Sequence, residues 1–336
     1  MLAGLSSPPA PRSVTHSIRT MGTYATIAIV STDSLETLAP ARSATLALTQ
    51  VDSLMSNWTE TSEVARINRL AANGRVIVQP QVNRVLAAAV RIGGESQGAF
   101  DITVEPLVRA WGFLGGVKRV PSEAEVVAAR ALIGPARFDH HVRSGTIEFD
   151  RAGVRIDLGG IAKGHAVDCA AESLIAHGVR AALVDVSGNM RAMGSPPGAP
   201  HWRIGLRDPR NRTPSLGRLA LSDRAIATSG KYEQFVAQDG RTYGHILDPR
   251  SGRPASGLIA VTVIAEQAME ADAWGTALFV LGGSEARRVA ATRRDLDVIL
   301  IEAGADGVDT LWVESILRDA FELDPAAQGL VRVRYF

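Results

Sequence analysis

The sequence predicts an α+β protein, one mixed body of helices and strands in two lobes. Three observations predict it. Short runs with a period of two, bounded by turn residues, recur along the chain. Other segments carry helical periodicity with capping signals at their ends. No fixed-period repeat and no low-complexity linker divides the 336 residues, so a single body is the economical reading.

Taken in order, residues 1–16 (MLAGLSSPPAPRSVTH) read as a flexible Ser/Pro tail, leaving 17–336 as the folded domain. Residues 23–30 (TYATIAIV) alternate as a half-buried strand does. A helix follows over 35–55 and stops at the loop Ser56-Asn57-Trp58, and helical spacing returns at 64–70 and 82–96. Ser122 and Glu125 form a capping-box pattern, each side chain placed to satisfy an orphan N–H at a helix start. Between 138 and 157 the pattern changes to short strands, with turns at Ser144-Gly145 and Ala152-Gly153. A helix over 162–177 ends at Gly178, a left-handed C-terminal cap. The second half is richer in strands, at 182–186, 202–207, 216–221, 233–237 and 258–265. Helices over 267–281 and 284–293 precede a strand at 296–302 and the turn Asp306-Gly307.

Composition excludes several functions. Lys and Arg number 36 against 35 Asp and Glu, so net charge gives no reason to expect nucleic acid or an anionic membrane as partner. The single cysteine, Cys169, excludes an intrachain disulfide and any Cys-based metal cluster. The most apolar stretch, 258–283, contains Glu266, Glu270 and Asp272 and fails as a membrane span. The first 16 residues show no signal-peptide pattern and no lipid-accepting Cys, so the expectation is a soluble, cytoplasmic chain.

Three constellations carry chemistry. In Arg155-Ile156-Asp157-Leu158-Gly159-Gly160-Ile161-Ala162-Lys163-Gly164, a strand with Asp157 leads through a Gly-Gly turn into a helix. Helix-start N–H groups and Lys163 suit an anion such as phosphate, although a plain strand–helix turn has the same pattern. In Ala271-Asp272-Ala273-Trp274-Gly275-Thr276, Asp272 and Thr276 stand at i and i+4 on one helical face. A carboxylate and a hydroxyl so placed make a hard-oxygen half-site for Mg²⁺; the alternative is an exposed acid and a threonine bonded to its own helix. In His245-Ile246-Leu247-Asp248-Pro249, a strand ends in a turn where His245 is a candidate base, or Asp248 merely caps the turn. Ala227-Thr228-Ser229-Gly230 reads as a nucleotide-contacting loop or a polar turn, and Ala99-Phe100-Asp101 as an aromatic–acid loop on the core.

In this order the motifs resemble the ApbE family, the FAD:protein FMN transferases. The resemblance runs from Met21-Gly22-Thr23 through Met55–Trp58, Ala99–Asp101, DLGGIAKG, ATSG and HILDP to AMEADA with Thr276. It implies a two-lobed body of largely antiparallel sheets flanked by helices. It also implies an activity that splits FAD at its pyrophosphate, passes FMN to a Thr or Ser hydroxyl of a target protein and releases AMP. The resemblance places Mg²⁺ on the main-chain carbonyl of Ala162 and the side chains of Asp272 and Thr276. It places FAD against Met21, Trp58, Ala99, Phe100, Asp101, Gly159, Lys163, His245 and Ile246. Lys163 would offset charge on the departing phosphate, and His245 would deprotonate the acceptor. Trp58 stands where Tyr is commoner, and Asp185-Val186-Ser187-Gly188-Asn189 replaces the usual Asn-x-Gly-Gly-Asp. The family's acceptor pattern is not evident in the chain, so the expected partner is a separate protein. An FAD pyrophosphatase and a non-catalytic FAD-binding protein are the alternatives.

Overall fold

A computed structural model describes residues 10–231, 235–238 and 240–336. Its central sheet runs in chain order: β1 (Arg12–Thr20), β2 (Thr23–Ser31), β3 (Ala182–Val186), β4 (Asn189–Met193), β5 (Ala225–Gly230), β6 (Ala260–Ala265), β7 (Leu296–Glu302), β8 (Asp309–Val313) and β9 (Val331–Tyr335). Neighbours pair antiparallel except β8 and β9, which are parallel. Two tight hairpins help set this order. Met21-Gly22 (φ 52° and 70°) joins β1 to β2, and Ser187-Gly188 (φ 51° and 89°) joins β3 to β4. Two successive positive φ angles match the twist that a two-residue hairpin needs.

The helices are α1 (Leu38–Met55), α2 (Glu63–Leu70), α3 (Pro80–Glu95), α4 (Glu105–Ala110), α5 (Glu123–Arg130), α6 (Ala162–Ala176), α7 (Ala268–Leu281) and α8 (Gly283–Ala290). α5 has the full capping box between Ser122 and Glu125. α1, α6 and α7 cover one face of the sheet, where Ile27, Leu48, Leu174 and Val263 share one core. The other face meets a three-stranded sheet through Trp202, Ile204, Leu219, Ile264 and Ile299. A third cluster, with Leu107, Trp111, Phe113, Val126, Val236 and Leu247, forms a smaller lobe. α7 is apolar all round because it is packed on all sides, so its one acid in mid-helix, Asp272, is buried with it.

Several sequence expectations change. Residues 12–16 lie in β1, not in a tail: Val14, His16 and Ile18 face inward while small Ser13, Thr15 and Ser17 face out, which hides the alternation. Ala227–Gly230 is a stretch of β5 rather than a turn, with Thr228 Oγ1 bonded across the ladder to Thr262 Oγ1 at 2.8 Å. The segment carrying Asp157 is not a strand. Asn68 holds Ile156 at both N–H and C=O in place of a ladder, and Asp157 N–H donates to Ile102 O. The strand expected over 233–237 is Phe235–Gln238, and positions 233 and 234 lie outside the described residues. Among the described residues no helix is long and apolar enough to cross a membrane.

Candidate active site

α6 begins at a residue without a capping side chain, Ile161. The acceptor comes from α7, where Asp272 Oδ2 takes the Gly164 N–H at 2.9 Å. α7 is capped in return from α6. Asp168 accepts the Ala268 and Met269 N–H groups at 2.9 Å each, and Arg191 Nη1 pairs with it at 2.7 Å. Gly164 permits this approach, since a Cβ there would lie 2.1 Å from Ala268 O and 2.8 Å from Asp272 Cβ. Burial pushes the Asp272 carboxyl above its ordinary range, opposed by the Lys163 charge and the Gly164 N–H.

One turn further along α7, Thr276 reaches the Gly-Gly turn. A Cβ on Gly160 would lie 3.2 Å from Thr276 Oγ1 and 3.2 Å from Phe100 Cε2. Asp157 shapes that turn by accepting the Gly159 N–H at 2.8 Å, an Asx-type bond; burial raises its pKa. Lys163 Nζ donates to Gly159 O at 3.3 Å. The turn, the lysine and the acid–hydroxyl face of α7 thus meet at one point.

They form one wall of a cavity of about 590 Å³ between the main body and the smaller lobe. Met21, Trp58, Ala99, Phe100, Asp101, Gly159, Ala162, Lys163, Ile246, Asp272 and Thr276 line it from the body, and Val108, Phe113 and Leu247 from the lobe, with His245 against Phe113. The volume suits a bound small molecule. Trp58 is 70% exposed and leaves its indole open. The His245 ring meets Phe113 edge-on at 6.3 Å. Burial raises the pKa of Asp101, opposed by hydrogen bonds from Thr103. Among the described residues no three His, Cys, Asp or Glu side chains gather as a metal cage. A cation here would rest on Asp272, Thr276 and main-chain carbonyls at the start of α6. A hard-oxygen set this small fits Mg²⁺, which usually takes part of its shell from phosphate and water.

A model of the ApbE family matches residues 21–300. The chain belongs to the ApbE family. It is 32% identical over 306 residues to the FAD:protein FMN transferase of Salmonella typhimurium, covering 88% of this chain and 85% of that one. It is 34% identical over 265 residues to the FAD:protein FMN transferase of Vibrio cholerae, covering 77% and 78%. The solved flavin transferase ApbE from Vibrio cholerae matches with a TM-score of 0.83 at 30% identity, over 92% of this chain and 99% of that one. The ApbE protein from Thermotoga maritima matches with a TM-score of 0.81 at 30% identity, over 96% and 100%. These likenesses carry the α+β architecture with its largely antiparallel sheets.

In this ApbE protein the twelve residues that the resemblance links to metal, flavin or catalysis (Met21, Trp58, Ala99–Asp101, Gly159, Ala162, Lys163, His245, Ile246, Asp272 and Thr276) all border this cavity. Asp248 lies beside it, capping its turn through the Arg250 N–H at 2.9 Å and pairing with the Arg250 guanidinium. Sequence reasoning missed the residues that position the others. Asp52 takes the Met21 N–H at 2.7 Å and so holds a non-glycine residue at positive φ against the cavity. Asp168 fixes the first turn of α7. Its partners lie 23, 100 and 101 positions away, so no local pattern announces it. Asn57 and Asn189 also line the cavity.

Proposed function

We propose that this ApbE protein is a Mg²⁺-dependent FAD:protein FMN transferase that modifies a Thr or Ser hydroxyl of a separate target protein. In the reaction the acceptor oxygen bonds to the FMN phosphorus, the bond from that phosphorus to the bridging oxygen breaks, and AMP leaves. The observation that supports this most directly is the meeting of Asp272, Thr276 and the Gly159–Lys163 helix start on one wall of the cavity.

Phosphoryl transfer asks a protein mainly for positioning and charge neutralisation. Mg²⁺ held by Asp272, Thr276 and the Ala162 carbonyl would neutralise pyrophosphate charge. Lys163 and the α6 N-terminus supply positive potential to the same oxygens. Trp58 offers an aromatic face to the isoalloxazine ring, with Met21 and the Ala99–Asp101 segment beside it. His245, against Phe113 of the lobe, takes the proton of the acceptor hydroxyl. The lobe also covers the cavity and limits competing attack by water.

The test is mass spectrometry after incubation with FAD, Mg²⁺ and a Thr-containing flavoprotein acceptor. Acceptor mass should rise by phosphoester-linked FMN, with AMP released. Asp272→Ala should abolish Mg²⁺-dependent turnover, and His245→Ala should bind FAD yet transfer slowly. FMN and AMP formed with no adduct on any acceptor offered would instead indicate a pyrophosphatase. FAD retained without turnover would indicate a binding protein.

A further inference from the structure

Buried polar side-chain atoms are almost always paired in a folded protein, and those left over call for a partner outside the chain. Among the described residues two such atoms, Asn57 Oδ1 and Asn189 Oδ1, are buried without a hydrogen-bond partner and belong to residues lining the cavity. The Asn57 amide has a fixed orientation, and the Asn189 amide is aligned by one long bond. Asn57 Nδ2 donates to Ile156 O at 3.2 Å, a carbonyl that also receives Asn68 Nδ2 at 2.9 Å. Turning the amide over would set oxygen against oxygen. Asn189 is 3% exposed, and its Nδ2 donates to Val186 O at 3.4 Å across the β3–β4 turn. In each side chain the fold uses the donor and leaves the acceptor unpaired, in a residue that lines the cavity.

We propose that Asn57 and Asn189 are substrate-recognition residues whose Oδ1 atoms accept hydrogen bonds from N–H or O–H groups of the bound dinucleotide. The proposal rests on the reading of FAD as substrate. Phosphate oxygens accept hydrogen bonds and do not suit these positions. The donors of FAD are the flavin imide, the ribityl and ribose hydroxyls and the adenine amino group. Asn57 adjoins Trp58, the aromatic platform for the flavin, so it serves the flavin half. A site that offers a buried acceptor favours a ligand that brings the matching donor and rejects one that leaves the acceptor unpaired.

The experiment compares wild type with Asn57→Leu and Asn189→Leu, near-isosteres lacking the acceptor. FAD affinity is measured by calorimetry, and melting temperature with and without FAD. Each variant should bind FAD about ten-fold more weakly, with a smaller FAD-induced rise in melting temperature. The ligand-free melting temperature should change little, because loss of the weak Nδ2 bond is offset by removal of an unpaired buried acceptor. Asn57→Leu should weaken FMN to the same degree and leave ADP unchanged. Asn57→Ser and Asn189→Ser, smaller and also unable to place an acceptor there, keep the test valid if a leucine variant misfolds. Wild-type FAD affinity in a folded variant overturns the proposal for that residue. A lower ligand-free melting temperature with FAD affinity intact does the same, marking a structural asparagine. Failure of the wild type itself to bind FAD would overturn the flavin reading as well.

Discussion

Two acids at the far end of the sheet, Asp309 buried and Glu314 half-buried, are supported very differently. Asp309 is completely buried, yet Arg210 pairs with both its oxygens at 2.8 Å and Arg212 adds a third bond at 2.8 Å. Glu314 has much weaker support. It accepts the Val298 N–H at 3.0 Å, faces the negative charge of Asp297, and burial pushes its pKa up to about 7. Because the folded state holds this proton more tightly than the unfolded chain, its contribution to stability is complete below the ordinary glutamate range. It is lost as pH rises through about 7. Glu314→Gln keeps an acceptor for Val298 and removes the charge. The variant should melt roughly 2–4 °C above wild type at pH 8 and show a smaller gain at pH 5. Thermal unfolding at the two pH values checks this, and an equal shift at both would sink it.

At the scale of elements, α6 and α7 cap one another: Asp272 serves the start of α6 and Asp168 the start of α7. The proposed metal face therefore depends on an acid that does not touch it. Asp168→Ala removes two N-terminal bonds and leaves Arg191 without its partner. It should cost about 3 kcal/mol in stability by denaturant unfolding. Mg²⁺ affinity should fall too, because the first turn of α7 carries Asp272 toward the site. Asp168→Asn, which keeps one acceptor oxygen, should lose less, and equal losses in the two variants would count against capping as the cause. These helices also show what the sequence makes readable. The i, i+4 spacing of Asp272 and Thr276 and the Gly-Gly-x-x-Lys helix start are local patterns, and local chemistry marks them. The reciprocal caps, the Asp52–Met21 bond and the Asn68 clamp on Ile156 join positions 31 to 108 residues apart. No periodicity records such pairs. The missed strands have a related cause. β1 turns small polar residues outward, and β5 ends in Thr-Ser-Gly, so each looks like a loop until its neighbours are placed beside it.

At the scale of the whole molecule, the cavity is a seam between two separately packed bodies. The main body centres on the nine-stranded sheet and its helices, and the smaller lobe on Trp111, whose indole N–H donates to Gly252 O at 3.1 Å and whose ring meets Tyr243. The lobe contributes Val108, Phe113 and Leu247 to the cavity, while the Gly159–Lys163 turn and the α7 face come from the body. A ligand filling the seam touches both and adds contacts that neither body makes alone. Local opening of the lobe should therefore become rarer when FAD is bound, by the ratio of free ligand to its dissociation constant. In hydrogen exchange, saturating FAD should slow backbone amides throughout α4, α5 and residues 241–254, including positions that line no part of the cavity. Protection confined to the cavity-lining residues would mean that the lobe opens independently of the ligand. The seam would then be a static pocket rather than a joint that substrate closes.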